Sequence, residues 1–505
     1  MTRTRDRISP PDPPMPPACF RSRTTCLAAL AALCLGGCAR RLPPADVGYV
    51  SRWTATHYAL ARAERLNPPA ASRWSAYAAI ALYEGWAAFS DSLQSLGGQV
   101  NGLGALPKPL PKQQYDPAVV AMEAQAVVLL DFYKTGFAST TVAIRILHDS
   151  LVDARRTVGV PQQVLDRSVR YGTQLGQAIL GWAATDNFRE TRGKTLELKK
   201  GPQYWVPTAT EADYRVQNLS AQTDMIEFDN PTAAARPGET SDRALIVNRP
   251  KPLGASLVPG VNITKAVEPY WGTLRPFALQ SADSCSAKPP YEFSTDKKSS
   301  FYKMVDSVYQ KSLHLTPEEK QIAFFWADNP GETGTPAGHW LGIISQLATQ
   351  RKLSPERAVE AYVVAAIAMA DAFIVCWRLK YDLSLLRPVT YIKRYIDPNW
   401  SPLLLTPPFP EFASGHAIQS RATAEVLTAL LGDSTEFVDA THVTLGHPPR
   451  HFNSFREAAA QVALSRFLGG IHYMSSNLIG AEQGRCVGRS VLARVHTRKG
   501  SSPAS

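Results

Sequence analysis

The stretch SPERAVEAYVVAAIAMADAFIVCWRLKYDLSLL, residues 354–386, constrains this chain more than any other. Ser354 and Pro355 fit an N-cap and a first helical position, so the segment reads as one long helix. It is too apolar to face water, and such a helix is stable only when other helices cover it. The chain has no uninterrupted run of roughly 18 apolar residues, so no membrane-spanning helix is expected. The cover has to come from elsewhere in the chain.

The sequence supplies it. SRWSAYAAIALYEGWAAFSDSL, PAVVAMEAQAVVLLDFYK, TTVAIRILHDSLVDARRTVG and VLDRSVRYGTQLGQAILGWAATDN repeat apolar residues at three- and four-residue intervals, the pattern of amphipathic helices. Further on, Thr316, Pro317 and Glu319 form a capping signature ahead of QIAFFW, and Ser454 with Glu457 does the same for SFREAAAQVALSRFL. No alternation requires a sheet, and no internal repeat is evident. The fold class expected is all-α, a large helical bundle.

With 505 residues and 45% apolar content the chain can bury a sizeable core as one large domain or two ordinary ones. We divide it into residues 51–188, an N-terminal helical part; 189–315, a long loop-rich connection punctuated by RPKPLGASLVPG; and 316–490, a C-terminal helical part. Residues 491–505 read as a basic disordered tail and 39–50 as a linker. The net charge of +11 is modest for this length and lies partly in the termini, so no nucleic-acid partner is expected.

At the N-terminus, Arg21 and Arg23 precede the apolar CLAALAALCLGG, which stops at Cys38. This reads as an export signal over residues 1–38. Residues 1–14 are unlike a signal start, which leaves Met1 and Met15 as alternative initiators. LGGC resembles a bacterial lipoprotein cleavage box. It implies an exported protein anchored to a membrane by lipid on Cys38, on the periplasmic or cell-surface side. Of the seven cysteines, Cys285, Cys376 and Cys486 lie far downstream with no metal-binding spacing. They leave room for one disulfide, with the pairing open.

Chemistry collects in three places. Lys380 and Arg387 in KYDLSLLRP are two helical turns apart, so a continuous helix presents both from nearly one face. Amid Ile374, Val375 and Leu385, such cations are costly to bury without an anion. In PPFPEFASGHA a helix is expected to begin near Ser414 or Gly415, its free N–H groups facing an anion. Ser414 adds a hydroxyl, Gly415 permits close approach, and His416 carries a proton near neutral pH. In SRFLGGIHYMSSN, Gly469 and Gly470 can break a helix and turn His472 towards Arg466.

Lys380-x6-Arg387-Pro388, Ser414-Gly415-His416 and Ser465-Arg466-x5-His472, in that order, resemble the signature shared by vanadium-dependent haloperoxidases and type 2 phosphatidic-acid phosphatases. The stretches CWRLKYDLSLLRPVTYI, TPPFPEFASGHA, SRFLGGIHYMSSNLIGAEQGRCVGR and FWADNPGETGTPAGHW look closest to bacterial haloperoxidases. The resemblance implies a helical bundle of the haloperoxidase/acid phosphatase type. It also implies vanadate as cofactor, bound by Lys380, Arg387, Ser414, Gly415, Arg466 and His472. His472 would be the ligand to vanadium and His416 the acid/base, with hydrogen peroxide and halide as substrates. Cations and a helix mouth also suit a phosphoryl transition state. The alternatives are therefore an acid phosphatase or phosphatidic-acid phosphatase-like phosphomonoesterase with His472 as nucleophile, and an inactive oxyanion-binding lipoprotein.

Two positions depart from the family pattern. Ser476 stands where many phosphatases of the superfamily place an Asp that orients the last His, which favours the peroxidase. A carboxylate from elsewhere, such as Asp328, could substitute for it; Asp328 also suits pairing with Arg466 or His416, or a plain turn. Ala413 replaces a Pro, with little effect expected. Trp377 and Phe409 match positions flanking the halide site of fungal chloroperoxidases and equally suit core packing. His442, His447 and His451 read as a solvated loop, and His339 as a neighbour of the pocket without a role.

Overall fold

The computed structural model describes residues 42–208 and 266–500. The export signal and Cys38 lie outside them, as does residues 209–265 of the connection. Helices follow in the order α1 (Gly48–Ala63), α2 (Pro68–Ala87), α3 (Pro117–Phe132), α4 (Ala138–Thr157), α5 (Gln162–Ala183), a short α6 (Phe188–Thr191), α7 (Ser300–Leu313), α8 (Pro317–Phe325), α9 (Thr335–Gln350), α10 (Pro355–Leu383), α11 (Pro388–Tyr395), α12 (Gly415–Leu431), α13 (Phe455–Leu468) and α14 (Met474–Arg494).

The long segment is one helix, α10, capped by the Ser354 hydroxyl accepting from the Arg357 N–H, with Pro355 in its first turn. Helices α2, α9, α12 and α14 cover it. Its most apolar 18-residue window is wholly buried, so by length and composition it could span a membrane, yet here it is the core of the bundle. Helix α3 packs on α2 and α5, and α12 on α13 and α14. The α12–α14 contact depends on Gly480, Gly484 and Gly488, spaced four apart on one face. A Cβ on Gly484 would lie 2.2 Å from the Ile418 carbonyl oxygen. The capping box at Thr316/Glu319 is formed in full.

Several expectations are corrected. A two-stranded antiparallel hairpin, β1 (Phe437–Asp439) with β2 (Arg450–Phe452), pairs Phe437 with Phe452, too short to give a readable alternation. The connection contains α7, which packs on α11. Residues Val491–Arg494 of the expected tail continue α14. Beyond them, the Thr497 hydroxyl and the Arg498 guanidinium donate to Glu360, because that carboxylate is buried and needs partners. Cys285 and Cys486 form a disulfide tying the connection to α14, and Cys376 is a buried free thiol.

Candidate active site

The cations at the end of α10 converge, though not by helical spacing. Ser384 adopts a left-handed conformation (φ 52°) and ends the helix, so Arg387 sits outside it, at the N-cap of α11. Both are buried, and both stand 5.0 Å from the centroid of the Phe409 ring. Lys380 Nζ donates to the carbonyls of Pro410 (2.9 Å), Glu411 (2.9 Å) and Ala413 (2.6 Å). Burial, the largest influence, lowers its pKa to about 7. Three donors on one nitrogen require the ammonium form, however, so the geometry favours the cation. Arg387 donates from Nε to the Phe409 carbonyl (3.0 Å) and from Nη1 to the Ile471 carbonyl (2.8 Å). Trp377 lies 4.9 Å from Phe409, ring to ring.

Helix α12 begins at Gly415 with Ser414 as N-cap, but Ser414 makes no capping bond; its buried hydroxyl has no protein partner. His416, in the first turn, keeps partial exposure. One ring nitrogen engages the Ala327 carbonyl, while Nε2 has no partner. Burial, then Arg466, holds this imidazole well below its ordinary pKa, so it is a neutral ring with a lone pair at Nε2.

At the end of α13, Gly470 takes φ 75°, turning the chain into His472. Arg466 Nη1 donates to the Trp326 carbonyl (2.8 Å), and its buried Nε has no partner. His472 Nε2 is 3.1 Å from Arg387 Nη1, which can only donate, so Nε2 carries the lone pair. The proton is then on Nδ1, 2.8 Å from Glu411 Oε1. Burial first, then Arg387, Lys380, Arg466 and His416, hold His472 neutral.

Glu411 changes the reading of Ser476. The orienting carboxylate of His472 is not lost, nor does Asp328 supply it: Glu411 reaches His472 from the loop before α12. It also accepts from the Tyr473 N–H (3.1 Å) and, at Oε2, from the Ser476 hydroxyl (2.8 Å). Its one advance signal was being the sole carboxylate in an apolar, proline-rich segment.

Asp328 is neither a plain cap nor a direct partner of Arg466 or His416. It is buried, accepts from Thr333 Oγ1 at 3.0 Å, and lies 2.9 Å from His339 Nδ1. His339 Nε2 is 2.8 Å from Asp439 on β1. His442, expected in a solvated loop, is buried with its ring 3.9 Å from that of His339. His451 is exposed, as a loop residue should be.

The fold thus gathers Arg387, Ser414, Gly415, His416, Arg466 and His472, while Lys380, expected to bind the oxyanion, has all three hydrogens on backbone carbonyls and adds charge but no free donor. Arg387 Nη2, Arg466 Nε, Ser414 Oγ and His416 Nε2 are buried polar atoms without protein partners. Such atoms are costly unless something bonds them. Two guanidinium donors, a hydroxyl and a helix N-terminus fit a tetrahedral oxyanion. Burial lowers Arg387 only to about 10 and Arg466 to about 9, so both stay charged at neutral pH. The residues present therefore fit vanadate, with His472 Nε2, whose lone pair accepts from Arg387 Nη1 here, as the ring nitrogen that would hold it. The four atoms suit phosphate as well.

Comparison with known proteins follows the same line. The family profile described as the VCPO second helical-bundle domain matches residues 360–499, and no curated protein matches. Among solved structures, that of the first bacterial vanadium-dependent iodoperoxidase superposes with a TM-score of 0.74 at 31% identity, covering 90% of this chain and 99% of that one. A holo-type bacterial vanadium-dependent chloroperoxidase superposes with a TM-score of 0.59 at 15% identity, covering 84% and 93%, and shows the shared fold. With that identity over nearly the whole length of the iodoperoxidase, the chain belongs to the vanadium haloperoxidase superfamily.

Proposed function

We propose that this protein is a vanadate-dependent haloperoxidase that oxidises halide with hydrogen peroxide to hypohalous acid. The observation that carries the reading is the set of unpartnered donors on Arg387, Arg466 and Ser414 facing neutral His416 and His472. Vanadate, when bound, supplies a Lewis-acidic centre that activates peroxide. The protein's own part is positional. Arg387 and Arg466 neutralise the oxyanion, Ser414 and the Gly415 N–H bond its oxygens, and Glu411 fixes the His472 tautomer with Nε2 inward. His416 Nε2 would accept the proton of an incoming peroxide. Trp377 and Phe409 form an apolar wall that would seat a weakly hydrated halide. Residues 1–38 fit delivery of the enzyme to a membrane surface through lipid on Cys38.

A phosphomonoesterase is the second reading, favoured by Glu411, which gives His472 the carboxylate a nucleophilic imidazole needs. One paired assay separates the two. Purified protein is tested for halogenation of a phenol dye with iodide, bromide or chloride, with and without vanadate, alongside hydrolysis of a phosphate ester. Halogenation that requires vanadate is the expected result. Ester turnover inhibited by vanadate, without halogenation, would replace the proposal, and His472→Ala should abolish whichever activity is found.

A further inference from the structure

We infer that His339 is a positioning residue: clamped between Asp328 and Asp439, it fixes the backbone of residues 326–328, whose carbonyls orient Arg466 and His416. This rests on reading the pocket as an oxyanion site, and not on which reaction follows. The Trp326 carbonyl accepts a hydrogen bond from Arg466 Nη1, and the Ala327 carbonyl accepts one from the His416 ring. Both groups therefore point where a three-residue segment lets them point.

Helix α8 ends at Phe325; the Trp326 and Ala327 N–H groups still bond back to the Ile322 and Phe324 carbonyls, but Asp328 lies beyond that hold. Asp328 sits at φ 48°, a left-handed conformation that costs about 1 kcal/mol or more in a non-glycine residue and persists only when its surroundings enforce it. The enforcement is visible. Asp328 is tied through Thr333 and His339, and Trp326 stacks on the His339 ring at 4.5 Å and 23°. The Trp326 indole donates to Gln461 Oε1 at 2.9 Å. His339 in turn comes from α9, and Asp439 from β1 closes its other side. One buried imidazole thus joins three separate stretches of chain, and Trp326 ties a fourth, α13, to them.

Charge agrees with geometry. Burial opposes a charged His339, but Asp328 and Asp439 outweigh it and raise its pKa to about 10. His442, whose Nε2 is 3.6 Å from Asp328 Oδ1, is held neutral by burial and by the neighbouring His339 charge. A divalent cation held by Asp328, His339 and His442 is the competing use of these side chains. It would have to displace a proton from an imidazole already bonded at both nitrogens.

The test titrates orthovanadate and, separately, inorganic phosphate into the full chain. The proteins are wild type, His339→Gln, Asp439→Asn, Arg466→Ala and the double variant His339→Gln/Arg466→Ala. We expect folded His339→Gln to bind both anions roughly tenfold more weakly, Asp439→Asn to lose less, and His339→Gln to add little once Arg466 is gone. A purely structural residue would lower the melting temperature without that dependence on Arg466. Unchanged affinity in folded His339→Gln, or the same factor in both backgrounds, would overturn the inference. So would a stoichiometric metal ion retained by the wild type after dialysis against chelator. Should His339→Gln not fold, Asp439→Asn is judged by the same affinities. If wild type binds neither anion the oxyanion reading itself falls; if it binds and the variants match it, only the role of His339 falls.

Discussion

Glu411→Gln isolates what the carboxylate does for His472. The amide is nearly isosteric: its oxygen can accept from His472 Nδ1 and the Tyr473 N–H, and its NH₂ can donate to Ser476 Oγ, so every partner of Glu411 keeps a bond. What disappears is charge assistance. A hydrogen bond to an ionised group contributes about 1.5–3 kcal/mol against about 1 kcal/mol for a neutral pair, a difference of about 0.5–2 kcal/mol. At about 1.4 kcal/mol per decade that is a roughly 2- to 30-fold loss, overlapping the range seen when an outer-shell partner of a ligating histidine is removed. Losing one negative charge beside the pocket acts in the opposite sense, since it favours an anion. The assay is equilibrium titration of orthovanadate into vanadate-free protein in phosphate-free buffer, with circular dichroism as the folding control. Equal or tighter binding by Glu411→Gln would refute the argument, because it would show that net charge outweighs orientation of the imidazole.

Other outcomes follow from the same structure. His339 is raised from 6.5 to about 10, so its contribution to stability, at most about 5 kcal/mol, is complete below pH 6.5 and lost as pH rises through 10. Denaturation at pH 7 and pH 10 should show that loss in wild type and not in His339→Gln; parallel slopes would count against it. Reducing the Cys285–Cys486 bridge, which spans 201 residues, should lower unfolding stability by up to about 5 kcal/mol, read from denaturant curves with and without reductant. Gly484→Ala drives a Cβ into the Ile418 carbonyl and should cost about 1–3 kcal/mol, whereas Gly104→Ala, with nothing within 4 Å, should leave the melting temperature unchanged.

Helices and their starts were legible because their signals are local: Thr316 with Glu319 announces α8 and Ser354-Pro355 announces α10. The three motif segments were legible for a different reason, since their spacing carries a family resemblance. Their geometry was not. Lys380 and Arg387 meet through a left-handed Ser384 that no periodicity predicts. Glu411 and Ser476 replace a local carboxylate by one brought across the fold, 61 residues before His472. His339 and His442 gave no sign of burial: Asp328 is near His339 in sequence, but Asp439 and the Phe325 carbonyl, which complete the partners of the two rings, lie 100 and 117 residues away. Contacts of that range are set by packing, which a single sequence does not display.

The ammonium of Lys380 spends all three hydrogens on the loop that forms the pocket wall. The same positive charge that would attract a guest therefore also folds the room that receives it. Truncating this side chain changes architecture and electrostatics in a single stroke, whereas Arg466, with its bare Nε, lets affinity be altered while the enclosure stands.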